Sequence, residues 1–459
     1  MIAPLSLAVV AETLGALLQQ GDASFTRVTT DSRQLQPGDL FVALRGTNFD
    51  GHDFLRAAAE AGACGLVVEE FDATLALPQL IVQDTLIALG QIAALNRRAF
   101  AHPLIAITGS SGKTTVKTMV ADILRERSSV LVTQGNFNNH IGVPLTLLQI
   151  AREHEFAVIE MGASSIGEIG YLCTLAQPDV ALVNNVMPAH IAGFGSLEGV
   201  ALAKGEIYLG LAAQGTAVVN IDDAFAPQWL AQLQQQSVIK VSLSDSSADC
   251  FARDITPAAE GTGFTLVVQE NTIAIHLPTP GEHNVRNALA AAACAFAVGA
   301  NLSEIKRGLE NFVPVSGRLS RRRARCGALV IDDSYNANPG SVRAAINVLA
   351  VQPGQKILVL GDMGELGEHA ESMHAEVGHF AKTQQVDRLL TVGSLSRHAS
   401  EAFGESAQHF ATHAALMPIL NTLIDEQTTV LIKGSRSAKM DVIVRELCEV
   451  SSHSTGEQH

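Results

Sequence analysis

The stretch Ile105-Ala106-Ile107-Thr108-Gly109-Ser110-Ser111-Gly112-Lys113-Thr114-Thr115 has the residue types and spacing of a phosphate cradle. A short apolar run ends in Gly109 and Gly112, and Val116, Met119, Val120, Ile123 and Leu124 then fall on one face of a helical period. The glycines therefore belong to a strand-to-helix turn. Unpaired N–H groups of the first helical turn and the positive end of the helix dipole would face an entering anion, and glycine lets the backbone come close to it. Ser110, Ser111 and Thr115 add hydroxyls to the same turn, Lys113 is the type that reaches the outer phosphates, and the Thr114 hydroxyl is the type that holds Mg²⁺. The strict P-loop pattern has a further glycine where this chain has Ile107, so the match is to a shorter Gly-x-x-Gly-Lys-Thr form. The expected ligand is a nucleoside triphosphate.

Phosphoryl transfer also needs ligands for the metal. Glu160 closes an apolar run over 156–160, Asn184 and Asn185 close another over 180–185, and the following loop holds His190. In mostly parallel sheets ligands collect at the carboxyl ends of the strands, which makes Glu160 and His190 candidates for metals beside Thr114. A structural histidine is an equal reading of His190. Lys204-Gly205-Glu206 lies on the next helical stretch, and Gly281-Glu282-His283-Asn284-Val285-Arg286-Asn287 opens an alanine-rich helix with polar groups that either cap it or read an adenine edge.

The elements that must position these residues follow from the pattern. At 459 residues the chain exceeds one ordinary core, and about 150 residues per domain gives about three. An apolar fraction of 47% with 17% charged residues is globular. A formal net charge of −15 argues against a nucleic-acid or anionic-membrane partner held by bulk charge, so any phosphate must be met locally. The six cysteines show no metal spacing and fit reduced thiols in the cytoplasm. Met1 to Ala11 lacks the basic flank of a signal peptide, and the apolar run 288–302 is too short and interrupted for a membrane span.

Before the P-loop, a turn leads into a strand at 40–44, a helix is expected over 54–63 and an answering strand over 65–68, a small α/β unit with polar loops. From composition alone, Ser32, Arg33, Thr47 and Asp50 read as turn chemistry. After the P-loop, strands at 156–160, 180–185 and 217–220 alternate with helices, as in a mostly parallel sheet, and 263–268 with 272–275 reads as an antiparallel hairpin. Beyond Pro314 a second α/β set has strands at 328–333, 356–362, 388–393 and 429–434, like a dinucleotide-type fold without its glycine fingerprint.

The strings Thr108-Gly109-Ser110-Ser111-Gly112-Lys113-Thr114, Gly135-Asn136-Phe137-Asn138-Asn139-His140-Ile141-Gly142-Val143-Pro144, Glu160-Met161-Gly162-Ala163, Ala203-Lys204-Gly205-Glu206, Gly281-Glu282-His283-Asn284 and Asp333-Ser334-Tyr335-Asn336-Ala337-Asn338-Pro339 occur together and in the order found in Mur ligases. The chain resembles that family from Asp31 to Met440. The resemblance implies an α/β protein of three domains: residues 1–82 for the UDP end of a substrate, a central P-loop ATPase over 83–313 with a mostly parallel sheet, and a Rossmann-like domain over 314–459. It also implies ATP with two Mg²⁺ ions, UDP-MurNAc-tripeptide and D-alanyl-D-alanine as substrates, an acyl phosphate between them, and a cytoplasmic monomer.

Carried over by motif, Lys113 would steady the outer phosphates, Thr114 and Glu160 would hold one Mg²⁺, and His190 with a carbamylated Lys204 the other. Asn284 and Asn287 would read the adenine, Arg318 and Asp333 would reach the nucleotide from the far domain, and Asn138 or Asn139 would face the γ-phosphate. Ser32, Arg33, Thr47 and Asp50 would hold the UDP-sugar, and Asn336, Asn338 and the Lys433-to-Ser437 turn would select the incoming amine. Asn336-Ala337-Asn338-Pro339 stands where relatives that choose diaminopimelate carry Asp-Asn-Pro-Arg, which argues against that nucleophile. Arg321 to Arg325 matches no motif and reads as a solvated face. The rival readings are a folylpolyglutamate synthetase of the same architecture, a nucleotide-switched binding protein and a small-molecule kinase.

Overall fold

The computed structural model describes residues 1–47, 49–188 and 191–448. Three α/β units follow one another along it. In the first, Val28–Thr29, Leu40–Val42, Gly65–Val68 and Gln79–Ile81 pair in parallel in that order, with Leu17–Gln19 antiparallel at the edge. The helix expected over 54–63 is shorter, Leu55–Glu60, and is preceded by a 3₁₀ turn, Gly51–Phe54. Asp50 starts that turn by accepting the His52 N–H at 2.9 Å, and Gly62, at φ +93°, lies just past the helix end.

The central unit is built on nine strands. Leu104–Thr108 runs between Phe156–Glu160 and Val180–Val183, parallel to both. Val130–Val132 lies beyond the former, and Thr216–Asn220, Ser237–Ser242 and Cys250–Pro257 continue in parallel beyond the latter. Thr262–Val268 and Asn271–Leu277 close that edge as the expected antiparallel hairpin. Alternation along the P-loop strand divides two cores. Ile105 and Ile107 pack with Val116, Met119 and Val120 of the helix Lys113–Arg125 and with the alanine-rich helix Glu282–Ala297. Leu104 and Ala106 pack on the other face with the helices Thr85–Arg98, Glu168–Ala176 and Leu197–Leu209. The strand expected over 180–185 stops at Val183, because Asn184 and Asn185 turn aside to the P-loop.

The third unit is a six-stranded sheet in the order Ser320–Arg323, Leu329–Asp333, Thr428–Lys433, Gln355–Gly361, Arg388–Val392, Ala407–Phe410, parallel except for its first pair. The arginine run read as a solvated face is largely this antiparallel edge strand, in which Arg321 and Arg323 are exposed while Arg322 turns back to Ser316 and Asp332. After Gln355–Gly361, the Asp362 carboxylate accepts the N–H groups of Ser394, Leu395 and Ser396 at 2.9, 3.0 and 2.7 Å. A resident carboxylate thus fills a backbone nest of the kind that binds phosphate elsewhere. Among the described residues no helix is long and apolar enough to cross a membrane.

Candidate functional site

A cavity of about 420 Å³ lies at the carboxyl end of the central sheet, where the third unit faces the P-loop. Gly109 to Thr115, Asn138, Asn139, Glu160, Lys204, Asn284 and Asn287 line it from the central unit, and Arg318, Asp333, Asn336 and Asn338 from the third. It falls within the volume range of small-molecule sites.

The P-loop owes its shape to Asn184 and Asn185. Ser110 N–H donates to the Asn185 carbonyl and Ser111 N–H to its Oδ1, both at 2.9 Å, while both asparagine amides return bonds to the Ser111 carbonyl. Gly112 sits at φ +77°, and a Cβ there would lie 2.6 Å from Asn184 Nδ2 and from Asn287 Oδ1. Only glycine fits. Lys113 Nζ donates to the Gly109 carbonyl at 2.7 Å, folding the lysine over its own loop.

Glu160 ends its strand with both carboxylate oxygens engaged. Oε2 accepts the Thr114 hydroxyl at 2.8 Å and lies 3.3 Å from Lys117 Nζ; Oε1 accepts Asn138 Nδ2 at 2.8 Å. Burial alone would raise this carboxyl, but Lys113 and Lys117 hold it below its ordinary value. Both lysines are themselves pushed down by burial. Lys117 is a residue the sequence reading missed. It is 4% exposed, its ammonium also donates to the Thr133 carbonyl at 2.8 Å, and the available signal was a lysine among the apolar positions of the P-loop helix.

Asn138 is thus the neighbour of Glu160, whereas Asn139 accepts the Ile141 and Gly142 N–H groups in the turn just before the helix Gly142–Leu147. Lys204 is buried, with its ammonium 5.8 Å from the centre of the Phe194 ring; burial, then the charge of Lys113, push it down to about 7. His190 lies outside the described residues. At the alanine-rich helix the N-cap is Gly281 with no side-chain cap, so the capping reading is not realised. Asn284 instead donates to the Pro280 carbonyl at 2.9 Å, and Asn287 accepts from Asn184 at 3.0 Å.

From the third unit, buried Asp333 pairs with Lys433 and accepts the Leu319 N–H, and burial raises its carboxyl against the pull of Lys433. Arg318 stacks on Tyr335 with Cζ 4.3 Å from the ring centre. Asn338 caps the helix Pro339–Ala350 through a reciprocal bond with Ser341, and Lys433 donates to the Asn336 carbonyl. Ser32, Arg33, Thr47 and Asp50 do not line this cavity. They belong to turns of the first unit, where Arg33 pairs with Asp31 at 2.8 Å and Asp50 with Arg45 at 3.0 Å.

Three family profiles match in succession: "Mur ligase family, catalytic domain" over 24–97, "Mur ligase middle domain" over 107–295 and "Mur ligase, glutamate ligase domain" over 317–436. The UDP-N-acetylmuramoyl-tripeptide–D-alanyl-D-alanine ligase of Escherichia coli K12 is 46% identical over 446 residues, covering 97% of this chain and 98% of the relative. The chain belongs to the Mur ligase family. A crystal structure of MurF from Acinetobacter baumannii superposes with a TM-score of 0.93 at 36% identity, over 98% of this chain and 100% of that one. MurF from Thermotoga maritima, solved with ADP, gives 0.83 at 27% identity over 91% and 96%.

For a Mur ligase the donor set is telling. Thr114 and Glu160 offer only oxygen atoms, which suits Mg²⁺. Among the described residues no group of three or more His, Cys, Asp or Glu could hold a metal alone, so phosphate oxygens and water would have to complete the shell.

Proposed function

We propose that this chain joins D-alanyl-D-alanine to UDP-MurNAc-tripeptide at the expense of ATP. The observation that carries the reading is the single cavity in which P-loop Lys113 and Thr114 face Arg318, Asp333 and Asn338 of another unit, in a chain closely related to a ligase named for that reaction. A carboxylate does not react with an amine until one of its oxygens becomes a good leaving group. Transfer of the γ-phosphoryl group to the tripeptide carboxylate, with ADP departing, makes an acyl phosphate; the dipeptide amine then attacks the acyl carbon, phosphate leaves with the C–O electrons, and the amine proton is lost.

The chain's own groups supply position and charge. The N–H groups of Gly112 to Thr115, at the start of the P-loop helix, and the Lys113 ammonium would take the phosphates; Lys113 now rests on a neutral carbonyl, so an anion draws it away readily. Thr114 and Glu160 would hold one Mg²⁺, and His190 with carbamylated Lys204 a second. Bound there, the ions would neutralise charge between the γ-phosphate and the entering carboxylate. Asn284 and Asn287 would read the adenine, Arg318 and Asp333 would approach the nucleotide from the third unit, and Asn138 or Asn139 the γ-phosphate. Ser32, Arg33, Thr47 and Asp50 would hold the UDP-sugar, and Asn336, Asn338 and the Lys433-to-Ser437 turn would choose the amine.

The reading also takes the domains as 1–82, 83–313 and 314–459, and the enzyme as a cytoplasmic monomer. Closure of the third domain over the P-loop would exclude water from the acyl phosphate. The test is phosphate release from ATP with UDP-MurNAc-tripeptide, with and without D-alanyl-D-alanine. Release that needs both substrates supports the ligase; release with neither, or a stable phosphorylated product, overturns it.

A further inference from the structure

Arg318 lies four residues past Pro314, the proline that opens the third unit, yet its guanidinium reaches the P-loop cavity, and its charge bears on Lys113, Lys117 and Glu160. A flexible side chain bringing positive charge beside two lysines needs something to hold it there. Among the described residues the guanidinium has no hydrogen bond to any protein acceptor. What it has is Tyr335, with Cζ 4.3 Å from the ring centre, a close cation–π stack. The ring is itself fixed. The Tyr335 N–H donates to the Gly317 carbonyl at 3.1 Å, and Gly317, at φ +77°, would put a Cβ 3.2 Å from that of Tyr335. The Gly317 N–H is in turn held by Asp332 at 3.1 Å. A second guanidinium, that of Arg436 in the Lys433-to-Ser437 turn, lies 5.7 Å from the same ring centre.

From this geometry we infer that Tyr335 is a positioning residue: its ring holds the Arg318 guanidinium, with its donors unspent, ready for the nucleotide phosphates. The stack fixes the plane of the guanidinium before ligand arrives, so that less side-chain freedom is lost on binding. The π face matters here, and the phenol hydroxyl does not. The inference rests on the proposed nucleotide site.

The test measures ADP affinity by calorimetry and KM for ATP in the full-length protein. Arg318→Ala must weaken ADP binding; if it does not, the nucleotide reading of Arg318 fails first, separately from the role of Tyr335. Tyr335→Leu is expected to weaken ADP binding and raise KM for ATP by about tenfold. Tyr335→Phe, which keeps the ring, should recover most of that loss. In the Arg318→Ala background, Tyr335→Leu should add less than about twofold. Equal losses from Tyr335→Leu with and without Arg318, or failure of Tyr335→Phe to recover binding, would overturn the inference. If Tyr335→Leu does not fold by thermal melting, Tyr335→Met, which fills the space without a π face, takes its place with the same expected values.

Discussion

The Ser110 hydroxyl donates to the Met187 carbonyl at 3.0 Å and accepts the Met187 N–H at 2.9 Å, so a single side chain ties the P-loop twice to the loop after Val180–Val183. Met187 also faces the third unit, where a Cβ on Gly340 would lie 2.7 Å from its sulfur. The P-loop, the neighbouring strand and the start of the helix Pro339–Ala350 are therefore linked through two residues.

Ser110→Ala removes both bonds. Each is worth about 0.5–1.5 kcal/mol, so local opening should become easier by about 1–2 kcal/mol. Hydrogen exchange at the Met187 amide should accelerate by about tenfold, with KM for ATP rising in parallel. Unchanged exchange would show that the loop is held by other contacts.

Lys117→Met leaves Glu160 without the cation beside Oε2. Breaking a buried pair by removing one partner costs about 3–5 kcal/mol, so the denaturation midpoint of the central unit should fall clearly. Replacing the pair together, as Lys117→Met with Glu160→Gln, should recover part of that stability while abolishing turnover. A double variant no more stable than the single one would argue that Lys117 is anchored by Thr133 alone.

Lys204 is the position at which the family resemblance puts a modified lysine, and its burial beside Phe194 makes a bare ammonium costly. Supplied with isotope-labelled bicarbonate, the protein should show a carbamate carbon resonance that Lys204→Ala lacks. Lys204→Glu, which restores a carboxylate, should retain more phosphate release than Lys204→Ala. A missing resonance together with full activity for Lys204→Ala would remove the assignment.

Asp362 provides a pH signature away from the cavity. Burial pushes its carboxyl up, but the N–H groups of Ser396 and Ser394 pull it down further, leaving it below the ordinary value. A carboxyl lowered in the folded state contributes stability above the unfolded value of about 3.9 and loses it as pH falls through the folded one. Asp362→Asn should therefore be less stable than wild type at pH near 7, and the gap should narrow on acidification below about pH 4. Parallel stability curves would mean that the nest does not depend on charge.

Features written in local chemistry were legible. The P-loop turn, the strand bearing Glu160 and the alternating α/β pattern follow from neighbouring residues whose types allow little else. Lys117 was missed because the buried face was traced through apolar residues, and a lysine joins such a face only when a distant carboxylate, here Glu160, meets it. Asn138 and Asn139 are chemically identical neighbours, and only the fold separates them: one turns to Glu160 and the other to Gly142. The arginine run is largely exposed, as a solvated face would be, but its strand character was not legible, since an edge strand is defined by what it pairs with, and Leu329–Asp333 comes later in the chain.

The parallel strand Leu104–Thr108 carries a consequence for biosynthesis. Both of its partners, Phe156–Glu160 and Val180–Val183, leave the ribosome after it does. An apolar row with two open edges must wait while those segments emerge, and parallel pairing across such gaps is slow. The nascent chain therefore passes through an aggregation-exposed interval before the phosphate cradle can exist. Because residues from Gly109 to Lys433 wall the finished cavity, its last side forms only after Lys433 has left the ribosome.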